Sequence, residues 1–434
     1  MAADERRVAG PLVVSAANPR WFATASGEAV YLTGSHVWNN LHDGMGPGAD
    51  CAEAPEPFDY PAYLRFLADR GHNLIRLWRW EHFRSQAAGG GVHLCMAPQP
   101  RTGPGTATDG GPRFDLSRFD RAYFDRLRDR VAAAGEAGIY VAVMLFEGWA
   151  LHLSPPPYNL EGHPFHAANN LNGVGIGSTV DYQVLPLDPR VQALQEAYLR
   201  KVVDTVHDLP GVLYEVANES SGADAGSVEL PDGSSVPTPV GDSTHWQYWV
   251  IGFVKEYERR MGYDRHPVGM TMQYPVPDQR KVNDPLWAWK SFLRGHNPIL
   301  MDFGLIGGVD PPDPSSGSPS YESFEPCRHA IGDTRRFAER LALARLAPRG
   351  ELSSTGYALA NPGEEYLVLE PGGTGERFTV TLAAGGYAAG WYGVAARTTA
   401  PAATVTVERP GPVGFSVPFG GGPAVLYLKR QAAR

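Results

Sequence analysis

The chain has 434 residues, 43% of them hydrophobic and 20% charged, with a formal net charge of -9. That length exceeds what one core ordinarily supports, so a large domain and a smaller one are expected, and the composition excludes intrinsic disorder. The acidic balance excludes a general nucleic-acid binder, because neutralising phosphates needs a basic surface; neutral sugars make no such demand. Cys51, Cys95 and Cys327 are odd in number and widely spaced, which fits neither a disulfide framework nor a zinc ligand set and implies unpaired thiols. The apolar run at residues 11–14 is too short for a signal segment or a membrane span, so a soluble, unexported, cytoplasmic chain is the expectation.

Strand and helix signals alternate along the chain to about residue 346. Residues 12–14 and 28–33 carry strand patterns, and 61–70 places Tyr63, Leu64, Phe66 and Leu67 at helical spacing before Gly71 and a strand over 73–78. The unit then repeats, with an amphipathic helix over 119–134, a glycine turn at 135–138 and a strand over 139–146 that ends at Glu147. Asp188-Pro189 opens a helix that runs to about His207, and Val212, Leu213, Tyr214 and Val216 form a buried strand that stops abruptly at Asn218-Glu219. Ser243 or Thr244 caps a helix through Tyr257, residues 266–272 form a fifth inner strand, 286–294 a helix, and 297–302 a further strand. Such alternation implies a parallel sheet, and its length suits a TIM-type (β/α)8 barrel of the α/β class. A doubly wound open sheet is the runner-up, but no glycine-rich dinucleotide fingerprint follows the first strand.

After a helix over 333–346 the pattern changes. Residues 357–360, 366–369, 378–382, 387–392, 404–407 and 424–428 are short strands at near-regular spacing, with Asn361-Pro362-Gly363 and Pro371-Gly372-Gly373 as turns. They imply a small β-sandwich, so the expected domains are a barrel at 1–350 and a sandwich at 351–434. Trp391 in such a sandwich is more simply core than a sugar platform.

Six groups fall at predicted strand ends: His36, Trp38 and Asn39 after the first; Arg76, Arg79, Trp80 and Glu81 after the second; Glu147 and Trp149 after the third; Asn218 and Glu219 after the fourth; Gln273 and Tyr274 after the fifth; Asp302 after the last. Aromatic rings for the apolar faces of a sugar, with amides and carboxylates for its hydroxyls, are what carbohydrate recognition requires at the face where barrels do chemistry. Each residue alone has a blander alternative: Arg76 as a partner in an internal ion pair, His36 as a satisfied core histidine, Trp78 or Trp80 as packing, Glu219 as a solvated loop acid. Cleavage of a glycosidic bond needs one carboxylic acid to protonate the leaving oxygen and a second carboxylate to attack or to activate water. Glu219 suits the first role, with Asn218 holding a sugar hydroxyl, and Glu81, Glu147 and Asp302 are the available partners. His36, His42, His72, His93, His163 and His166 form no ligand set at metal-binding spacing, so neither a metal nor any other cofactor is expected. Gly34-Ser35 lacks the second glycine of a nucleophile elbow, which argues against a serine hydrolase.

Asn18-Pro-Arg-Trp-Phe22, residues 31–40 ending in His36-Val-Trp-Asn-Asn40, residues 73–78, residues 213–219, residues 266–271 and residues 287–298 together resemble the apiosidase-like glycoside hydrolases. The resemblance spans nearly the whole chain. It implies a (β/α)8 barrel followed by the sandwich that goes under the name of collagen-binding domain, a carbohydrate substrate, and Glu219 in the place of the acid/base at the end of the fourth strand. The chain departs from that pattern between Tyr274 and Asn297, where only about two dozen residues stand in for βα units of around 30 each. Two inner strands are therefore expected to be missing, and with them the usual second carboxylate; Asp278 and Asp284 are remnants or replacements. Three functions follow: an active hydrolase with Glu219 and Asp302 as its catalytic pair, a sugar-binding pseudoenzyme without the second carboxylate, or a matrix-attachment protein whose sandwich carries the function. Residues 227–240 are expected to form a hairpin lid beside Glu219.

Overall fold

The computed structural model describes residues 7–42, 58–85, 92–93, 96–149, 151, 159–223, 227–229, 234–237, 241–273, 284–302, 305, 321–372 and 377–431. Cys51, Cys95, Tyr274, Asp278 and the turn at 231–233 lie outside the described residues. The chain divides into two compact units, one of Met1–Leu12, His36–Leu64 and Ile75–Asp278, the other of Val13–Ser35, Arg65–Leu74 and Gln279–Arg434.

The first unit is α/β. Strands Tyr140–Glu147 and Val212–Asn218 run parallel, from Val141 opposite Val212 to Glu147 opposite Asn218. Val268–Gly269 continues the sheet beyond Val212–Asn218, also in parallel, and the strand Leu74–Leu77 lies on the other side of Tyr140–Glu147. Helices Arg121–Glu136, Pro189–Val206 and Thr244–Met261 alternate with these strands. The first helix starts where the Asp120 side chain accepts from the amides of Ala122 and Tyr123, and it buries Tyr123, Phe124, Leu127 and Val131. The second starts, as expected, at Asp188-Pro189, with Asp188 accepting from the Arg190 amide. The third departs from expectation at its cap: the Ser243 side chain makes no capping hydrogen bond, and the Asp242 carboxylate accepts from the Thr244 amide at 2.8 Å instead. Ser227–Glu229 and Ser235–Pro237 pair as antiparallel strands, so the expected hairpin is present. A second hairpin, Arg101–Thr106 with Pro112–Phe114, is not expected from the sequence; four glycines and two prolines across it hide the strand pattern.

In the second unit Gly34 pairs in parallel with Leu74, and Ile299–Met301 is the next strand along. Helix Pro285–Leu293 is capped by Asp284, whose carboxylate accepts from the Leu286 amide at 2.9 Å. The following helix spans Glu325–Ala338 rather than 333–346, because Pro326 opens it a full two turns earlier and Asp333 faces inward from mid-helix. Between Val268–Gly269 and Ile299–Met301 the described residues hold this one capped helix and no strand.

The C-terminal strands form two antiparallel sheets. Ala358–Asn361, Glu365–Glu370, Ala424–Arg430, Gly385–Gly393 and Thr398–Val407 make the larger, with Ala347–Pro348 at its edge; Arg377–Leu382 and Gly411–Ser416 make the smaller. Gly411–Ser416 escapes the sequence pattern because two glycines and a proline interrupt it. The larger sheet is buried on both faces. Tyr366, Val368, Leu426 and Leu428 face Phe378, Val380 and Leu382; Leu367, Leu369, Tyr392 and Val425 share a core with Trp289, Phe292, Ile331 and Phe337. Alternate residues thus enter different cores, which is why Tyr366–Leu369 is continuously apolar. Among the described residues no helix is long and apolar enough to cross a membrane.

Candidate active site

The site is assembled where the strands of the first unit end. Strand Val212–Asn218 gives way to Glu219, whose φ of +40° lies in a region that residues with side chains seldom occupy. The neighbouring strand ends at Glu147, and Gly148 follows. A β-carbon on Gly148 would stand 2.5 Å from the Glu219 backbone oxygen, so only glycine lets the two strand ends approach this closely. The Gly148 amide donates to the Asn218 carbonyl at 2.8 Å and fixes the approach.

Glu219 is partly buried. Burial pushes its carboxyl up to about 7, and the positive charge of Arg76 offsets only part of that effect. Arg76 is itself gripped by Glu215 in a two-point fork, Nε to Oε2 at 2.6 Å and Nη2 to Oε1 at 2.7 Å. Nη2 also donates to the Asn218 side-chain oxygen at 3.3 Å, and the guanidinium lies 4.9 Å from the Trp78 ring. The bland alternative for Arg76, an internal ion pair, is therefore realised, and its partner Glu215 is a residue the sequence reading passed over. Asn218 completes the link by donating to Glu147 Oε1 at 3.2 Å.

Glu147 is fully buried, and the same Oε1 accepts from the Trp149 amide at 2.7 Å. Glu81 accepts from the Glu147 amide at 2.8 Å, from the Tyr182 hydroxyl at 2.7 Å and from His163 Nε2 at 3.2 Å, with Arg79 3.2 Å away. Burial works against its ionised form, but Arg79 and these donors outweigh it and hold the carboxyl down at about 2. The Phe165 amide donates to His163 Nδ1, which leaves the proton on Nε2 facing Glu81. Arg79, His163 and Tyr182 thus make Glu81 a fixed anion. His163 and Tyr182 come from 82 and 101 positions away, so no local pattern announces their part in the cluster.

Four tryptophans form a continuous wall. Trp38 contacts Trp78 and Trp80 at 6.3 Å each, Trp78 and Trp80 are 5.6 Å apart, and Trp149 meets Trp80 edge-on at 6.0 Å. Trp78 and Trp80 are buried, whereas Trp38 and Trp149 are partly exposed. His36 stacks on Trp78 at 5.4 Å and is buried; burial first and Arg76 second keep its ring neutral. Asn39 is buried beside it, and Asn40 ties the segment down by accepting from the Trp78 amide at 2.8 Å and donating to the Arg76 carbonyl at 2.7 Å.

Gln273 pairs in a parallel bridge with Ser220, the residue after Glu219. Its amide donates to Asp242 at 2.7 Å and to Ser243 Oγ at 3.0 Å, at the start of helix Thr244–Met261. Asp302, in the second unit, is held at 2.6 and 2.7 Å by Arg328, and both side chains are fully buried. Asp284 serves as the helix cap described above.

No family model matches the chain, and no curated protein matches it. Solved structures do. A protein described as a glycoside hydrolase superposes with a TM-score of 0.55 at 12% identity, over 98% of this chain and 98% of its own. A glycoside hydrolase of family 5 from Bacteroides vulgatus gives a TM-score of 0.55 at 12% identity, over 98% of this chain and 93% of its own. At such identity the likeness is one of fold.

Proposed function

We propose that this chain is a glycoside hydrolase of the apiosidase-like kind, built on a (β/α)8-type barrel at 1–350 with an accessory sandwich at 351–434, and that Glu219 is its general acid. The observation that carries this reading is a partly buried carboxyl, raised to about 7, at a strained strand end. An acid that protonates a glycosidic oxygen must hold its proton near the working pH, and Glu219 does so where Glu81, held down at about 2, does not. Trp38 and Trp149 offer rings to the sugar's apolar faces, and Asn218 an amide to its hydroxyls. The fold shared with glycoside hydrolases supports the same reading.

The second carboxylate distinguishes the active enzyme from a sugar-binding pseudoenzyme. Asp302 was the expected partner, and its two-point pairing with Arg328 supports a structural role instead, since both oxygens are engaged. The same holds for Glu81, which accepts from three donors. These engagements favour the pseudoenzyme as the second reading. A matrix-attachment role for the sandwich has less support: among the described residues the exposed large apolar side chains are Val13, Val14, Leu171, Tyr248, Met261, Met270 and Met272, all outside it, and Trp391 packs on Phe378 at 5.9 Å. Turnover of a panel of aryl glycosides, with Glu219→Gln as the control, tests the proposal. Hydrolysis lost in the variant supports it, and equal turnover overturns the assignment of Glu219. Oligosaccharide binding without any hydrolysis by the wild-type chain selects the second reading.

A further inference from the structure

We infer that Glu215 is a positioning residue for the Glu219 acid: by gripping Arg76 in a fork it keeps the guanidinium charge from ionising the carboxyl beside it. This rests on the reading of Glu219 as the acid. Glu215 and Asn218 belong to one strand, and Asn218 is the residue before Glu219, so a cation bonded to both side chains stands next to the acid. Arg76 fills that place from the strand Leu74–Leu77, bonded to Glu215 at 2.6 and 2.7 Å and to the Asn218 side chain at 3.3 Å.

A lone guanidinium next to a partly buried carboxyl favours its anion, typically by about one to three pKa units. Paired with Glu215, the cation belongs to a near-neutral couple, and burial then governs Glu219. Of the other charged or titratable groups near this strand end, His82 lies 3.9 Å from Glu147 with its ring kept neutral by burial, and the rest have settled arrangements. Glu147 accepts from Trp149 and Asn218, Glu81 is ringed by Arg79, His163 and Tyr182, His36 is buried against Trp78, and Asp242 is bonded to Gln273. Arg76 is the group whose charge acts on Glu219, and Glu215 is what balances it.

The test is a carboxyl 13C NMR titration of Glu219 in the full chain, assigned with Glu219→Gln, for wild type, Glu215→Gln, Arg76→Gln and the double variant. Glu215→Gln is expected to lower the Glu219 midpoint by about one unit or more, Arg76→Gln to raise it, and the double variant to return it near the wild-type value. Opposite shifts from the two single variants are not what lost packing would produce. At pH 7 the fall in protonated acid predicts about a fivefold or greater loss of turnover in Glu215→Gln, with the basic limb of the pH profile displaced to lower pH and partly restored in Glu215→Asp. An unmoved midpoint in Glu215→Gln, or shifts of the same sign in both single variants, overturns the inference. Should Glu215→Gln fail to fold, Arg76→Gln decides: a midpoint that does not rise overturns it. The titration needs no substrate, so a wild-type chain that hydrolyses nothing would sink the hydrolase reading while leaving this result intact.

Discussion

Glu219 carries two burdens that a surface glutamate avoids, a φ of +40° and a carboxyl raised to about 7 by burial. The second has a thermodynamic sign. A carboxyl whose folded pKa lies above its unfolded value of 4.5 contributes stability through its protonated form; that contribution is full below about 4.5 and is lost as pH rises through about 7. Glu219→Gln, which never ionises, is therefore expected to match wild type in urea unfolding at pH 4 and to exceed it at pH 8.5 by on the order of 1–2 kcal/mol. A variant less stable than wild type at pH 8.5 would contradict the burial argument. Gly148 supplies a second residue-level prediction. A methyl there would meet the Glu219 backbone oxygen at 2.5 Å and the Ser220 Cα at 2.9 Å, so Gly148→Ala should displace the acid and cut kcat by roughly tenfold or more. Gly252→Ala is the matched control: it lies in helix Thr244–Met261 with nothing within 4 Å, and should raise stability by about 0.5–1 kcal/mol. The sequence makes the strand end at Asn218-Glu219 legible because the apolar run that stops there marks it by itself. Glu215 and Gly148 are illegible for the converse reason. An acid inside an apolar strand acquires meaning only from Arg76, 139 positions away, and a glycine after Glu147 only from the backbone of another strand.

At the scale of elements, legibility follows how local the causes are. Asp188-Pro189 announces its helix because capping and the fixed proline φ act within three residues. The helix Glu325–Ala338 is read too late, since Asp333 resembles a start signal, yet its carboxylate is engaged from outside the helix by Arg397 at 3.0 Å through each oxygen. What holds this helix in place is equally nonlocal. A β-carbon on Gly332 would stand 1.8 Å from the Arg70 carbonyl oxygen, and one on Gly71 would stand 3.3 Å from Gly332 Cα, so two glycines face each other where the helix crosses the turn at 70–71. Gly332→Ala gains helix propensity, worth less than about 1 kcal/mol, but must push the two backbones apart, which costs roughly 1–3 kcal/mol. The clash should win and lower Tm. A raised Tm would mean that the turn yields without cost.

For the whole molecule, the decisive feature is that the C-terminal sheets do not close on themselves. The larger sheet presents one face to its own partner strands and the other to helices Pro285–Leu293 and Glu325–Ala338, where Leu367, Leu369, Tyr392 and Val425 pack with Trp289, Phe292 and Phe337. Trp289 and Tyr392 are 5.8 Å apart, Phe337 and Tyr392 5.4 Å, and Asp333 receives both the Tyr392 hydroxyl and Arg397. An appended module joined by a linker would show a polar boundary at such a place; here the boundary is an apolar core with a buried carboxylate clamped across it. Cutting the chain after residue 350 would expose several large apolar side chains at about 1.5–3 kcal/mol each, a sum comparable to the stability of an average domain. The truncated chain is therefore expected to aggregate or to melt far below the full chain, measured by size-exclusion chromatography and differential scanning calorimetry. Arg397→Ala should lower the melting temperature of the full chain to a smaller extent, because it leaves the buried Asp333 with fewer donors. A truncated chain that stays monomeric and melts like the intact protein would show that the two parts fold independently, and that the sandwich is an attachment rather than a wall of the same core.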